Sequence, residues 1–419
     1  MRSSGPTAAR HRHRHRHNAA PAVPANHGHG HGHLEPASGR VRVLLALILV
    51  PFALATLVGA ALTWPGDELR TATDVGFGER PVRGEVTATS ATSCSVGGTG
   101  TGQEPECIAL TILLRDGEAP GRTIEQVLPD EPSTPNFTTG DRIVLAFTGG
   151  DPADPSSYQV RDFQRGAPML WLAVLFAVAV VLLGRWKGLA SLAALGFSFG
   201  VLLVYVLPAI LAGSDPVVVG VLGAGVIMFG TLYLSHGVSA RTSTAVVGTL
   251  LSLGLIGLLG SAFSAAARLT GLGADTANLI AVLGTGIDAR GLLLAGVVIG
   301  ALGVLDDVTV TQTSAVWELR RANPDLSSRQ LYTSALRIGR DHISSAVNTL
   351  ALAYAGAALP LLLAFSVSGQ GFGTLVTAQD VAQEVVRTLV GSIGLVAAVP
   401  ITTLIAAVVA RRDDVPAVP

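Results

Sequence analysis

The sequence predicts an α-helical polytopic membrane protein of about eight transmembrane helices, with a small extracytoplasmic β-rich, OB-like domain between the first helix and the second. Three observations carry that expectation. Only 14% of the residues are charged and 49% are hydrophobic, against about 25% charged in soluble globular domains. The chain holds 49 glycines and 22 prolines, residues more frequent in membrane helices than in soluble ones. Apolar runs of span length recur along it, broken by one long polar insert. A net charge of −1 gives no electrostatic reason to expect a nucleic acid. The partner expected is the lipid bilayer.

Residues 1–39 form a low-complexity tail with HRHRHRH at 11–17 and HGHGHGH at 27–33. Such a segment cannot bury a core and is expected to be disordered on the cytoplasmic side. It is read as a solvated tail, with weak binding of Zn²⁺, Ni²⁺ or Cu²⁺ as the alternative. Residues 41–64, preceded by Arg40, make the first transmembrane helix, an anchor with no cleavage motif after it. Residues 65–166 alternate in short runs at 82–90, 107–117, 122–129, 142–147 and 158–163, separated by Gly, Pro and Asp turns. Five short strands suit a small barrel. Both cysteines, Cys94 and Cys107, lie here. If the insert is outside the cell, a disulfide closing the Gly-rich loop between them is expected. The insert has no histidine, so no zinc site is expected in it.

Residues 167–410 make the helical bundle, with helices near 168–184, 189–212, 216–235, 243–266, 291–316, 343–366 and 386–409. Each spans about 30 Å of hydrocarbon at 1.5 Å per residue. Residues 411–419 form a cytoplasmic C-terminal tail. Arg40, Arg42, Arg185, Lys187, Arg241, Arg320, Arg321, Arg329, Arg337, Arg340, Arg411 and Arg412 all fall on one side of this arrangement. The positive-inside rule then places both termini in the cytoplasm and the insert outside. The segment 271–288 reads as an outer surface or re-entrant piece. Residues 318–342 read as a basic amphipathic helix on the cytoplasmic face. Gly196-x-x-x-Gly200, and Gly296-x-x-x-Gly300 followed by Gly303, read as packing contacts for neighbouring helices.

Chemistry concentrates in GLLLAGVVIGALGVLDDVTVTQTSAVWELRR, residues 291–321. Asp306 and Asp307 follow a long apolar run, and each Asp in a bilayer costs about 2.5–3.5 kcal/mol even on lenient scales. Asp306, Thr309 and Thr313 share one helical face, and Asp307, Thr311 and Ser314 the adjacent one. Trp317 reads as an interfacial aromatic. The next helix opens with Asp341 and His342, carries Ser345, Asn348 and Thr349, and kinks at Pro360. Antiparallel packing would set Ser345 and Asn348 against the carboxylate stripe. No basic side chain falls mid-span, which leaves protonation, a bound H⁺ or Na⁺, or an arginine from elsewhere to neutralise the pair. Glu384 and Arg387 are read as an i,i+3 ion pair, or a gate to an outer vestibule. His342 reads as an interfacial hydrogen bonder to Asp341 rather than a metal ligand, and His236 has no partner. No nucleophile elbow, Walker A, HExxH or dinucleotide fingerprint occurs, so no enzymatic activity, metal site or cofactor is expected.

GALGVLDDVTVTQTSAVWELRRANP (300–324), GRDHISSAVNTLALAYAGAALPLLL (339–363) and EVVRTLVGSIGLVAAVPITTLIAA (384–407) resemble the YibE/F family of bacterial membrane proteins. That resemblance implies a multi-pass protein of the plasma membrane. More loosely, GVLDDVTVTQTSAVWELRR is similar to the proton-coupled helices of RND exporters and SecDF, which carry a G-x-x-x-D-D-like pattern. This second likeness implies Asp306 and Asp307 as a protonatable pair. It also implies a homodimer, since those relatives draw a cation from a partner helix. The leading expectation is a cation-coupled transporter with Asp306, Asp307, Thr309, Thr313, Ser345 and Asn348 in its ion path. The alternative is a membrane scaffold or sensor whose outer β domain binds a partner.

Overall fold

The computed structural model describes residues 38–66, 79–94, 106–273, 276–277, 280, 286–367, 369 and 371–413. The histidine-rich tail, the loop between the cysteines and half of 271–288 lie outside the described residues. Helix α1 is Gly39–Leu62, α2 is Gly166–Val201, α3 is Leu207–Leu211, α4 is Pro216–His236 and α5 is Ala240–Ala266. Then come α6, Ala289–Ala322, α7, Ser328–Ala357, α8, Leu359–Val367, α9, Phe372–Thr377, and α10, Gln379–Arg412. Among the described residues six helical runs are long and apolar enough to cross a membrane: α1, Gly166–Leu211, α4, α5, α6 and α10.

Local chemistry sets the helix ends. Asp215 accepts from the Val217 and Val218 N–H groups at the start of α4, with Pro216 in the first turn. The Gly237 left-handed φ of 71° closes it. Ser327 and Gln330 form a capping box that starts α7. These devices satisfy amides that a helix start leaves orphaned.

The core of the bundle is α5, α6 and α10. Ile256, Leu305, Val390, Leu395, Ala398 and Val399 are buried together there. α5 and α10 approach so closely that a Cβ on Gly248 would run into Thr402, and one on Gly394 into Ile256. α7 lays Leu336, Ile343, Ala346 and Val347 on that cluster. On the other flank, Val41, Leu45 and Leu49 of α1 pack with Ala224, Ile227 and Met228 of α4. Their spacing of four places all three on one face of α1.

The insert is a five-stranded antiparallel sheet in the order β3-β2-β1-β4-β5. Its strands are β1, Arg80–Ser93, β2, Glu106–Leu114, β3, Thr123–Pro129, β4, Arg142–Phe147, and β5, Tyr158–Phe163. The long β1 serves both halves, pairing β4 from Arg80 to Glu85 and β2 from Gly84 to Ser93. One face buries Val82, Val86, Leu110, Ile112, Leu114, Ile124, Ile143 and Leu145, the alternation of a half-covered sheet. A disulfide joins Cys94 to Cys107, between the end of β1 and the start of β2. Burial pushes the Tyr158 hydroxyl up, and it donates to the Pro152 carbonyl at 3.1 Å. The Arg165 guanidinium holds the Asp162 carboxyl down.

The two helices expected at 168–184 and 189–212 meet at Arg185, where the backbone leaves the helical region (φ 51°, ψ −129°). A Cβ at Gly188 would strike the Val180 carbonyl, although eight residues of straight helix advance about 12 Å. The chain therefore doubles back at Arg185. Other expectations change. The single span expected at 343–366 is instead the second half of α7 and then α8, broken at Ala358 next to Pro360. There is no separate helix at 318–342: α6 runs on to Ala322 and α7 passes uninterrupted through His342. Trp317, expected as an interfacial aromatic, is buried beside Val316, Leu331 and Ala335. Among the described residues nothing packs at Gly196, Gly200, Gly296 or Gly303, and the Tyr354 hydroxyl alone nears Gly300. A glycine motif permits close approach, but which helix comes close depends on the faces that bury most.

Candidate functional site

The Asp288 side chain starts α6 by accepting from the Arg290 N–H. The helix then runs 34 residues, about 51 Å at 1.5 Å per residue, longer than the hydrocarbon layer. Its apolar half is held between α5 and α10, so the face that turns inward is fixed. Asp306 is on it. Thr231 of α4 donates to Asp306 Oδ2 at 3.2 Å. Asp306 Oδ1 is fully buried and has no hydrogen-bond partner. Thr231 lies five residues before the end of α4, or about 7–8 Å. On its own helix Asp306 is the eighteenth of 34 residues, at the middle of α6.

One turn on, α6 faces α5 and α10 with a wholly buried polar layer. Thr309 Oγ1 lies 2.8 Å from Thr249 Oγ1 and 3.2 Å from the Asp306 carbonyl. Thr313 Oγ1 donates back to the Thr309 and Val310 carbonyls, each at 2.9 Å. Gln312 Oε1 accepts from Thr403 Oγ1 at 3.0 Å. Gln312 Nε2 and Thr402 Oγ1 are buried without partners. Thr249, Ser252, Thr309, Gln312, Thr313, Thr402 and Thr403 are all fully buried. Unsatisfied groups of this kind each cost about 1–3 kcal/mol, and native proteins carry few. Eight such atoms occur among the described residues, and three of them, Asp306 Oδ1, Gln312 Nε2 and Thr402 Oγ1, fall in this region.

The two aspartates separate. Asp307 points outward with its side chain 75% exposed, and His342 Nε2 lies 3.9 Å from its carboxylate. That contact replaces the expected His342–Asp341 pairing. Thr309 and Thr313 stand with Asp306 as their shared face required. Ser345, Asn348 and Thr349 do not join them: all three are exposed, and Thr349 donates to the Ser345 carbonyl. α7 turns Ile343, Ala346 and Val347 inward instead, because the apolar face buries at lower cost. Glu384 and Arg387 are ion-paired at 2.7 Å, each about one-third exposed. They lie 19 residues before Thr403 on α10, about 28 Å away along the helix. Among the described residues no Arg or Lys reaches Asp306 or Asp307 within salt-bridge distance. No three His, Cys, Asp or Glu side chains gather there as a metal would require.

Thr231, Thr249, Gln312, Thr402 and Thr403 are the members that sequence reading missed. Gln312 sits inside the polar stripe and Thr402-Thr403 follows Pro400 in an otherwise apolar helix. Those are faint signals, because a lone threonine in a helix bonds its own backbone as readily as a neighbour.

A family model described as YibE/F-like protein matches residues 172–412, more than half of the chain. The chain belongs to the YibE/F-like family. The match spans the whole α5–α6–α10 core together with α4 and α7, so the polar layer lies inside the YibE/F-like part and the sheet outside it. No curated protein and no solved structure matches the chain. Nothing found supports the looser likeness to RND exporters and SecDF.

Proposed function

We propose that this YibE/F-like membrane protein is a proton- or cation-coupled transporter in which Asp306, rather than the pair, carries the coupling ion. The observation that supports this reading is Asp306 Oδ1, buried with no donor and with no cationic side chain in reach. A buried carboxylate left in that condition is costly, and a proton or Na⁺ removes the cost. Its occupancy then biases how α6 sits against α4, through Thr231, and the Thr309–Thr249 contact relays that bias to α5. Asp307, exposed beside the open Gly296–Gly300–Gly303 stripe, supports a homodimer in which a second copy covers that face.

The same reading takes the bundle as eight crossings, counting Gly166–Leu211 as a hairpin and α7 with α8 as one pass. The Ser38 amide bonds Asp413 at 2.9 Å, which supports both ends lying on one side. The arginine distribution supports that side being the cytoplasmic face of a bacterial plasma membrane. The insert is then an extracytoplasmic, OB-like half-barrel, with Gln126 of β3 donating to the Pro155 carbonyl in the turn before β5.

The competing reading is a scaffold or sensor acting through the sheet. Replacing Asp306 and Asp307 together with Asn, and separately removing residues 79–163, divides the two. A transporter loses ion-driven flux in proteoliposomes with the Asn pair. A scaffold keeps its cellular role with the Asn pair and loses it with the sheet.

A further inference from the structure

A cleft of about 440 Å³ opens between the first turns of α1 and the last turns of α10. Arg40, Val41, Leu44, Val408, Val409 and Arg412 line it. The two helix ends are fastened together there. The Ser38 N–H donates to Asp413 Oδ1 at 2.9 Å, and the Ser38 hydroxyl donates to the Arg412 carbonyl at 3.0 Å. Both arginines are thereby held at the same level. That level is an interface: α1 has no charged residue after Arg42, and α10 has none between Arg387 and Arg411. The cleft is thus aliphatic on its bilayer side and guanidinium-rimmed on its aqueous side.

Neither Arg40 nor Arg412 has a carboxylate partner among the described residues. Asp413, the nearest acidic group along the chain, is buried and its Oδ1 is taken by Ser38. We propose that this cleft binds one anionic phospholipid, with its phosphate between Arg40 and Arg412 and an acyl chain along Val41, Leu44, Val408 and Val409. Guanidinium groups match phosphate oxygens in charge and geometry. Basic pockets between membrane helices on the positive side are where anionic headgroups bind. Other occupants fit less well. The N-terminal tail is rich in arginine and would bring like charge. A second copy meeting this face about a two-fold axis would set the arginines against themselves. The proposal does not depend on ion coupling at Asp306.

The test uses full-length protein in nanodiscs of phosphatidylcholine and phosphatidylglycerol, with spin-labelled versions of each lipid reporting the motionally restricted fraction. Wild type is expected to prefer phosphatidylglycerol several-fold. Arg40→Gln with Arg412→Gln brings that preference near unity. Leu44→Trp fills the cleft, keeps both charges and has the same effect, so it decides the matter if the double variant fails to fold. Arg411→Gln, an exposed arginine outside the cleft, leaves the preference intact. The proposal is overturned if wild type shows no preference, or if the double Gln variant or Leu44→Trp retains it. It is also overturned if glycerol 3-phosphate displaces the labelled lipid as well as short-chain phosphatidylglycerol does, since the site would then hold free phosphate. A gain in phosphatidylglycerol binding on removing residues 1–36 would name the tail as the occupant instead.

Discussion

Asp306 and Asp307 are adjacent in sequence, yet the 100° step of an α-helix sends them to different surroundings. One meets Thr231 and buries its Oδ1, and the other is exposed beside His342. Their substitutions should therefore differ. Asp307→Asn is expected to leave folding and any ion-driven flux within a few-fold of wild type, read in proteoliposomes. Gln312 gives a second residue-scale expectation. Its Nε2 is buried without an acceptor, and Thr403 keeps a bond to the Val399 carbonyl at 2.6 Å without it. Gln312→Leu removes an unsatisfied amide at little change in volume, so stability should hold or rise by about 1 kcal/mol. If the polar layer serves the coupling ion, flux should fall in the same variant, and a scanning-calorimetry and flux pair reads both. The sequence disclosed the carboxylates because charge in an apolar run stands out. It did not disclose Thr231, Thr249 or Thr402, because a hydroxyl becomes informative only when its neighbour on another helix is known.

At the scale of elements, the strands were legible almost residue for residue. A half-covered sheet writes its two faces into alternate positions, and turn residues punctuate it. The helices were legible as apolar runs but not as packed objects. Apolarity on all sides removes the periodicity that would say which face turns inward, and so Ser345 and Asn348 were expected on the wrong side of α7. Gly248 makes the contrast testable. Its missing side chain leaves room for Thr402, so Gly248→Leu overpacks α5 against α10 and should cost about 1–3 kcal/mol or more. Gly296→Leu meets open space and should leave the monomer's thermal midpoint unchanged. In the sheet, Ile112 is fully buried, and Ile112→Ala should cost about 2–5 kcal/mol. Tyr158 adds a pH dependence. Its hydroxyl titrates higher folded than unfolded, so its contribution is complete below about pH 10, its unfolded value, and is lost as pH rises through the folded value. Tyr158→Phe should flatten that alkaline limb in thermal melts while removing one hydrogen bond, worth about 1 kcal/mol.

The whole molecule combines a YibE/F-like bundle that holds a carboxylate with one buried oxygen and a disulfide-closed sheet placed between its first helix and the rest. The disulfide belongs in an oxidising compartment, which agrees with an outside sheet and inside termini. In intact cells, a membrane-impermeant maleimide should label Cys94 and Cys107 only after mild reduction, whereas a cysteine placed at Ser38 should react only once the membrane is opened. The reverse pattern would turn the orientation over. Composition was enough to establish a membrane protein, and loop charges enough to suggest its sidedness. The packing of α5, α6 and α10 was beyond the sequence, since it depends on contacts such as Thr249–Thr309, Gln312–Thr403 and Gly248–Thr402, between segments far apart along the chain. The account rests most heavily on Asp306. The direct measurement is H⁺ or Na⁺ flux into proteoliposomes under an imposed gradient, for wild type beside Asp306→Asn of matched thermal stability. Flux in the wild type that falls at least about tenfold, some 1.4 kcal/mol in the rate, is the expected result. Equal flux in the two proteins, or none in wild type for either ion, would contradict the account.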